Sequence, residues 1–238
     1  MENIKFTFTE PDEDNDVNLN LEINITNESN KTIELISSCL MVLNKDDVCV
    51  GGSGIDFIDT HIDPREKDTV SVDCGWNYSA SLFGNDLNKM KGKLSLDLHS
   101  KKFMKIGKLD VPKSRGVSSI KNKLSIDNFV NIYGVILEKE KIDEDGTSSL
   151  IIKVGLENIS EANIPKVKIR SILFDLKGDI IDDRDDDSEI IYGSSKILDL
   201  RHYSIKNSKL KDSYVELSAS IYLSEFRINH DLGAKKNN

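Results

Sequence analysis

The chain has 238 residues, of which 38% are hydrophobic and 31% charged, and acidic residues outnumber basic ones by 41 to 32, giving a net charge of −9. The apolar content is sufficient for packed cores and excludes an intrinsically disordered chain. The acidic balance disfavours nucleic acid and anionic membrane surfaces as partners, because both are repelled at long range.

The amino terminus and the cysteines bear on the cellular compartment. Residues 1–16 contain no basic segment followed by an apolar one, so no secretory signal is predicted, and no apolar run reaches membrane length. Cys39, Cys49 and Cys74 form an odd set without a CxxC spacing, which predicts reduced and mostly buried thiols. We therefore expect a cytoplasmic protein without disulfides; export by a signal-independent route is the alternative.

Short segments with alternating apolar and polar residues follow one another along the chain. This alternation is typical of antiparallel strands with one face on a core and the other in water. In chain order the clearest predicted strands are 4–9, 17–26, 32–43, 68–73 and 93–100, followed by 130–140, 149–158, 166–176, 195–202 and 214–226. The pattern predicts an all-β protein.

The second half of the chain repeats the pattern of the first. Asn27 and Asn158 lie 131 positions apart in equivalent polar turns, and the apolar residues around them keep this spacing. The spacing falls to 128 at Ile62 and Ile190 and to 123 from Leu87 onward. Loops therefore differ in length between the copies while the strands stay in phase, as an internal duplication predicts.

Each copy holds about seven strands in roughly 110 residues, the usual size of an immunoglobulin-like sandwich. We therefore predict two tandem antiparallel β-sandwich (immunoglobulin-like) domains that arose by duplication. The first spans residues 1–114 and the second spans residues 115–238. The polar segment 112–123, with one proline and one glycine, fits an exposed boundary between them.

Turn residues in the second copy follow a characteristic order. Asn158 begins a polar turn, Asp175 and Gly178 form a D-x-x-G hairpin, and Gly193 precedes the next strand. This order resembles the bacterial FxLYD-type and late-embryogenesis-abundant-type sandwich domains. The first copy departs from it at residues 63–67, and neither copy has the F-x-L-Y-D signature. The resemblance implies a non-catalytic binding or structural module.

Motifs for catalysis are absent from the sequence. There is no G-x-S-x-G, and no H-E-x-x-H spacing links His61, His99, His202 and His230. These histidines are interpreted as surface or strand residues, and a zinc site assembled from distant His and Cys residues is the alternative. The Gly-rich stretch 51–56 lacks the Gly-Lys-Ser/Thr ending of a phosphate-binding loop and is predicted to be a flexible loop. We therefore predict no enzymatic activity and no cofactor.

Five aspartates cluster in one short stretch: Asp182, Asp183, Asp185, Asp186 and Asp187. Carboxylates are hard ligands that suit Ca²⁺, which makes them candidate metal ligands. The run lacks the spacing and the turn glycine of an EF-hand loop, and Arg184 interrupts it. The favoured interpretation is a solvated loop between two strands.

An insertion in the first copy holds the only tryptophan of the chain, Trp76, with Tyr78 and Phe83 nearby. Such an aromatic cluster can anchor a partner protein or stack on a sugar ring. The alternative is that Trp76 closes the first core or packs against the second domain, since large aromatic side chains are mostly buried.

These observations predict a non-enzymatic protein-interaction module that acts as an adaptor, scaffold or assembly component. Its expected partner is another protein or a second copy of the chain, because a sandwich with an unprotected edge strand can pair with either. The alternative is a ligand-binding module, for carbohydrate through Trp76 and Tyr78 or for calcium through the aspartate cluster.

Overall fold

Every regular element that the structure describes is a β-strand. The computed structural model describes residues 3–8, 13–14, 16–17, 19–44, 46–73, 78–79 and 91–233. The strands in these ranges are β1 (Asn3–Phe8), β2 (Asp16–Val17), β3 (Leu19–Thr26), β4 (Ile33–Leu43), β5 (Cys49–Ile62), β6 (Lys67–Asp73), β7 (Tyr78–Ser79), β8 (Lys91–Asp110), β9 (Gly116–Ile120), β10 (Leu124–Ile126), β11 (Val130–Lys139), β12 (Thr147–Asn158), β13 (Ile164–Phe174), β14 (Ile180–Ile190), β15 (Ser195–Lys206) and β16 (Tyr214–Gly233). The prediction of an all-β antiparallel protein is confirmed. None of the described residues belongs to a helix long and apolar enough to cross a membrane.

The chain folds into two compact units. Unit 1 comprises Met1–Lys101 together with Ser224–Asn238, and unit 2 comprises Lys102–Leu223. Strand β8 therefore begins in unit 1 and ends in unit 2, whereas β16 does the reverse. This division differs from the predicted boundary between residues 114 and 115, which assumes that each copy is contiguous. The duplication itself stays a hypothesis.

Unit 1 encloses a core between two antiparallel sheets. One sheet has the order β1-β3-β6, and the other contains β5, β4 and β8 as neighbours. Leu21, Ile23 and Ile25 alternate along β3 and are buried in one cluster with Ile36 and Leu40 of β4. Successive strand side chains point to opposite faces, so the intervening polar residues of β3 face solvent. Each buried leucine or isoleucine contributes about 1.5–3 kcal/mol to folding.

Unit 2 is a β-sandwich. One sheet has the order β10-β11-β12-β15, with β9 also paired to β11, and the other contains β14 and β13 with part of β16. Leu137, Val154 and Leu200 project from the first sheet, and Ile169 and Leu217 project from the second. All five are buried in one cluster, so the apolar faces of the two sheets are packed together.

The acidic run lies in a strand, so the prediction of a solvated loop is wrong. Residues 182–187 belong to β14, whose register places Asp185 beside Arg170 and Asp187 beside Lys168 of β13. The sequence favoured a loop because aspartate is depleted in strands. Cationic side chains on the neighbouring strand neutralise these carboxylates, which makes the extended conformation acceptable.

The glycine-rich stretch 51–56 is also part of a strand, β5, so the prediction of a flexible loop is wrong as well. A Cβ atom at Gly52 would lie 2.1 Å from the carbonyl oxygen of Leu40, so only glycine permits the close approach of β4. The pairing also shifts register between Ser38 and Leu40, as at a β-bulge. Glycine here serves strand pairing, which the sequence alone does not reveal.

The two described cysteines, Cys39 and Cys49, are both exposed. Cys39 precedes the buried Leu40 on β4 and therefore points away from the core cluster. The prediction of mostly buried thiols is wrong for Cys39 and Cys49. Cys74 lies outside the described residues.

Candidate functional site

The three aromatic residues predicted to bind a partner are only partly described. Tyr78 lies in β7 and pairs with Val17 of β2. Trp76 and Phe83 lie outside the described residues. Their role in partner binding stays a prediction.

The aspartates of β14 form a ladder of ion pairs with β13. The pairs are Lys166–Asp187 at 3.6 Å, Lys168–Asp185 at 2.5 Å and Arg170–Asp183. The hydrogen bond to Arg170 holds the pKa of Asp183 below its usual value, although burial opposes the shift. Among the described residues, no group of three or more His, Cys, Asp or Glu side chains is arranged to hold a metal. Calcium would therefore have to displace the cations that already contact these carboxylates.

One of the aspartates takes part in a Ser–His–Asp arrangement in unit 2. The hydroxyl of Ser171 on β13 lies 2.8 Å from Nε2 of His202 on β15, and Nδ1 of His202 lies 2.9 Å from Oδ2 of Asp182 on β14. Burial lowers the pKa of His202, although the hydrogen bond to Asp182 opposes the shift. Burial raises the pKa of Asp182, but hydrogen bonds from His202 and Arg184 outweigh it and leave that pKa below its usual value.

This arrangement has the connectivity of a catalytic triad without its accessibility. Ser171 and His202 are both 0% exposed, so a substrate carbonyl has no route to the serine hydroxyl. The imidazole instead connects β15 in one sheet with β13 and β14 in the other. Buried polar groups require hydrogen-bond partners, and here they find them in each other. We interpret the arrangement as a structural network that joins the two sheets.

All four histidines lie on strands, as predicted. His61, His99, His202 and His230 belong to β5, β8, β15 and β16. Nε2 of His99 lies 2.9 Å from the hydroxyl of Ser37, and burial lowers the pKa of His99. The described residues place no hydrogen-bond partner at its Nδ1.

Two loops of unit 2 are tied together by the buried side chain of Asn158. Its Nδ2 donates to the carbonyl oxygens of Ala162 at 2.8 Å and of Ile190 at 3.0 Å. Its Oδ1 accepts from the backbone N–H of Ser160 at 2.9 Å and from the hydroxyl of Ser160 at 2.7 Å. The backbone N–H of Asn158 donates to the carbonyl oxygen of Ser194 at 3.0 Å. The asparagine thus joins its own turn to the segment that follows β14.

Asn27 makes the same set of bonds in unit 1. Its Nδ2 donates to the carbonyl oxygens of Lys31 and Ile62, both at 2.8 Å. Its Oδ1 accepts from the backbone N–H of Ser29 at 3.0 Å and from the hydroxyl of Ser29 at 2.7 Å, and its backbone N–H donates to Glu66 at 2.9 Å. Each partner lies 131 or 128 positions before its counterpart in unit 2, which supports the duplication hypothesis.

On this common scaffold the two units present different side chains. Unit 2 exposes 42% of Ile159, 60% of Ile191 and 63% of Tyr192. We call these three residues the apolar tip. The equivalent residues of unit 1 are Glu28, Asp63 and Pro64.

Hydrogen bonds from the apolar tip fix its loops in place. The backbone N–H of Ile159 donates to the carbonyl oxygen of Phe129 at 2.9 Å, and that of Tyr192 donates to Oδ1 of Asn163 at 2.9 Å. Gly193 has a φ of 67°, which the turn after Tyr192 requires. A surface held in this way loses little conformational entropy when it binds a partner.

The charged groups near the apolar tip are of both signs. Glu161 is exposed in the loop that follows Ile159. Lys102 lies 3.1 Å from Asp127, and Lys123 lies 3.7 Å from Glu157, so these lysines already contact carboxylates. Of the three carboxylates, Glu161 is the one that no lysine contacts among the described residues.

The apolar tip was not predicted from the sequence. Its signal is the run Ile190, Ile191, Tyr192 directly after the acidic strand, together with Ile159 in the preceding turn. These residues replace two acidic residues and a proline of the first copy. A residue-by-residue comparison of the loops in the two copies would have revealed the difference.

No protein-family model matches the chain, and no curated protein matches it. The resemblance to FxLYD-type and late-embryogenesis-abundant-type domains therefore stays a prediction.

Several solved structures are similar to the chain at low identity. Bacteroides uniformis β-glucuronidase 2, covalently bound to cyclophellitol-6-carboxylate aziridine, is 11% identical with a TM-score of 0.31, over 92% of this chain and 26% of that one. The C-terminal globular domain of the Pyrococcus abyssi oligosaccharyltransferase is 11% identical with a TM-score of 0.20, over 96% and 46%. Red sea bream transglutaminase is 8% identical with a TM-score of 0.24, over 100% and 32%. The chain thus spans less than half the length of each, and these similarities carry no information on its function.

Proposed function

We propose that the chain is a non-enzymatic protein-interaction module, an adaptor, scaffold or assembly component of the cytoplasm, that binds a partner protein through the apolar tip. The observation that carries the proposal is the contrast between the two copies. Equivalent asparagine-centred turns present two acidic residues and a proline in unit 1 but Ile159, Ile191 and Tyr192 in unit 2. Binding residues are frequently carried on loops that a rigid scaffold positions, and tyrosine is enriched at binding hot spots.

The charges around the apolar tip indicate the kind of partner. Glu161 is exposed two residues after Ile159, whereas Asp127 already contacts Lys102, so an apolar patch with a lysine or arginine placed to meet Glu161 fits best. A second copy of the chain fits less well, because a symmetric contact would bring the two copies of Glu161 face to face. We therefore propose a different protein as the partner, with self-association as an outcome that the experiment distinguishes.

The absence of enzymatic activity is part of the proposal. Its support is the complete burial of Ser171 and His202, the residues with the connectivity of a triad. A fluorophosphonate probe for activated serines should leave Ser171 unmodified in the folded protein, as determined by mass spectrometry. Modification of Ser171 that His202→Gln abolishes would overturn this part of the proposal.

The calcium alternative has its own test. Asp183, Asp185 and Asp187 each contact a cation of β13, so calcium at about 1 mM should not raise the melting temperature. A calcium-dependent rise that is lost in Asp185→Asn would favour the metal-binding alternative.

A tip variant with a matched control tests the proposed interaction. The tip variant combines Ile159→Glu, Ile191→Asp and Tyr192→Ser, of which the first two introduce the residues of unit 1. The control is Leu176→Asp, which changes a side chain that is 74% exposed on the hairpin between β13 and β14. Mass spectrometry of proteins captured from native lysate would identify the partner, and calorimetry with the purified partner would measure affinity.

The expected result follows from the apolar area at the tip. Burying these partly exposed side chains should contribute roughly 1–2 kcal/mol each, so the tip variant should lose at least about 100-fold in affinity. Leu176→Asp should bind as the wild type does. A partner that binds the tip variant normally, or the absence of any partner that distinguishes the variants, would overturn the proposal. A dimer that only the tip variant dissociates, as measured by sedimentation, would make a second copy the partner.

A further inference from the structure

On the outer face of the first sheet in unit 2, two glycines on neighbouring strands lie opposite each other. Gly134 of β11 lies directly opposite Gly155 of β12, and the register shifts between Ile132 and Gly134, which makes Tyr133 the extra residue of a β-bulge. Glycine weakens a strand, and glycines and bulges within sheets often mark a position where a ligand approaches the backbone. Two facing glycines at a bulge therefore call for an explanation.

The ring of Tyr133 accounts for one of these glycines. A Cβ atom on Gly155 would lie 2.4 Å from Cε2, 2.5 Å from Cζ and 2.9 Å from Cδ2 of Tyr133, so the ring covers this glycine. Tyr133 is 46% exposed, so much of the ring remains open to solvent. A Cβ atom on Gly134 would have no neighbour within 4 Å, so the space above this glycine is open. Packing thus explains Gly155 but does not explain Gly134.

Aliphatic and polar groups border this place in an ordered way. Ile197 of β15 lies opposite Gly155 and is 59% exposed. Two residues along β12 on one side lies Glu157, whose Oε2 accepts a hydrogen bond from Nδ2 of Asn131 at 2.9 Å and lies 3.7 Å from Nζ of Lys123. On the other side, Lys153 of β12 is exposed. These polar rows lie about 6.6 Å from the glycine pair, since each strand residue spans about 3.3 Å.

We propose that this surface, which we call the Tyr133 platform, binds a saccharide with one pyranose ring stacked against Tyr133. A pyranose has an apolar face of C–H groups and a rim of hydroxyls. The aromatic ring and Ile197 match the apolar face, and the carboxylate of Glu157 and the ammonium of Lys153 match the hydroxyl rim. The open space above Gly134 allows the sugar to approach the sheet.

The size of the platform favours a saccharide over a protein. Stable protein interfaces bury about 800 Å² on each partner, and the Tyr133 platform offers one aromatic and one aliphatic side chain between charged rows. Small ligands instead need a limited apolar contact with a few well-placed polar groups. The platform shares no residue with the apolar tip, although Glu157 lies two residues before Ile159, so either proposal can hold without the other.

Saturation-transfer difference and ¹H–¹⁵N correlation NMR test the proposal on the full chain. The probes are neutral mono- and oligosaccharides of glucose, mannose and galactose. We expect at least one of them to shift the amide signals of Gly134 and Gly155. Tyr133→Ala should weaken binding at least about tenfold, whereas Tyr133→Phe should retain it because the ring remains.

A second variant and two controls keep the result interpretable. Ile197→Ser changes an exposed side chain and should weaken binding even if Tyr133→Ala proves unstable. Tyr203→Ala, which removes another exposed tyrosine of β15, should bind normally, and so should the tip variant. If no probe shifts the two glycine signals, or if Tyr133→Ala and Ile197→Ser both bind as the wild type does, the proposal is overturned.

Discussion

Replacing Asn158 with alanine tests whether one side chain holds the loops that carry the apolar tip. The carbonyl oxygen of Ile190 would lose a buried hydrogen bond of 3.0 Å, and an unsatisfied buried acceptor costs about 1–3 kcal/mol. The carbonyl oxygen of Ala162 keeps the hydroxyl of Ser160 as a donor at 2.8 Å. The partly buried bonds to Ser160 add about 0.5–1.5 kcal/mol. We therefore expect Asn158→Ala to lower the free energy of unfolding by about 2–4 kcal/mol.

Urea unfolding with matched variants measures this loss. With a slope of about 2 kcal/mol per M, the midpoint should fall by about 1–2 M. Asn27→Ala should cost a similar amount in unit 1, because it breaks the same bonds, and the exposed Asn30→Ala should change little. Asn158→Asp should be at least as damaging at neutral pH, because an oxygen replaces the donor that faces two carbonyl groups. A loss of unfolding free energy below about 0.5 kcal/mol in both Asn158→Ala and Asn27→Ala would refute the reasoning.

Three further predictions concern the stability of the two units. Because burial lowers the pKa of His202, the unfolded state binds a proton below about pH 6.5 that the folded state does not bind. The free energy of unfolding should therefore fall on acidification, by up to about 1.4 kcal/mol per pH unit. Urea titrations of His202→Gln at several pH values should lack this part of the pH dependence. Leu232→Ala should destabilise unit 1 by about 2–4 kcal/mol, because Leu232 at the end of β16 is buried in its core, and limited proteolysis should cleave unit 1 first. Arg65 has a φ of 69°, a conformation that favours glycine, so Arg65→Gly should stabilise unit 1 by about 0.5–1 kcal/mol. Gly193 has a φ of 67°, so Gly193→Ala should destabilise unit 2 for the same reason. Changes of the same sign in the two melting temperatures would contradict this.

The candidate sites were less predictable than the strands. The aromatic insertion was noticed because Trp76 is unique, yet Trp76 itself lies outside the described residues. The apolar tip was not predicted because single exposed isoleucines are common on protein surfaces. Ile159 and Ile191 stand out only when they are compared with the acidic residues at the equivalent positions of unit 1. The Tyr133 platform depends on a bulge, and no local pattern marks a bulge reliably.

The amino-acid sequence by itself determined the all-β fold, most of the strands and the asparagine-centred turns. These features follow from interactions between residues that are close in the chain. Strand alternation has a period of two residues, and the side chains of Asn27 and Asn158 donate hydrogen bonds to carbonyl oxygens four residues later. Their local origin is the reason that Asn27 and Asn158 were recognised as equivalents from the sequence.

Only the tertiary structure decided which distant groups meet. Ser171 and His202 are brought together from different sheets, and the aspartates of β14 are accepted in a strand because the cations of β13 lie beside them. The assignment of Ser224–Asn238 to unit 1 has the same origin, since β16 runs on from one unit to the other. Pairing between strands depends on side chains that are far apart in the chain. The periodicity of one strand therefore does not indicate which other strand will pair with it.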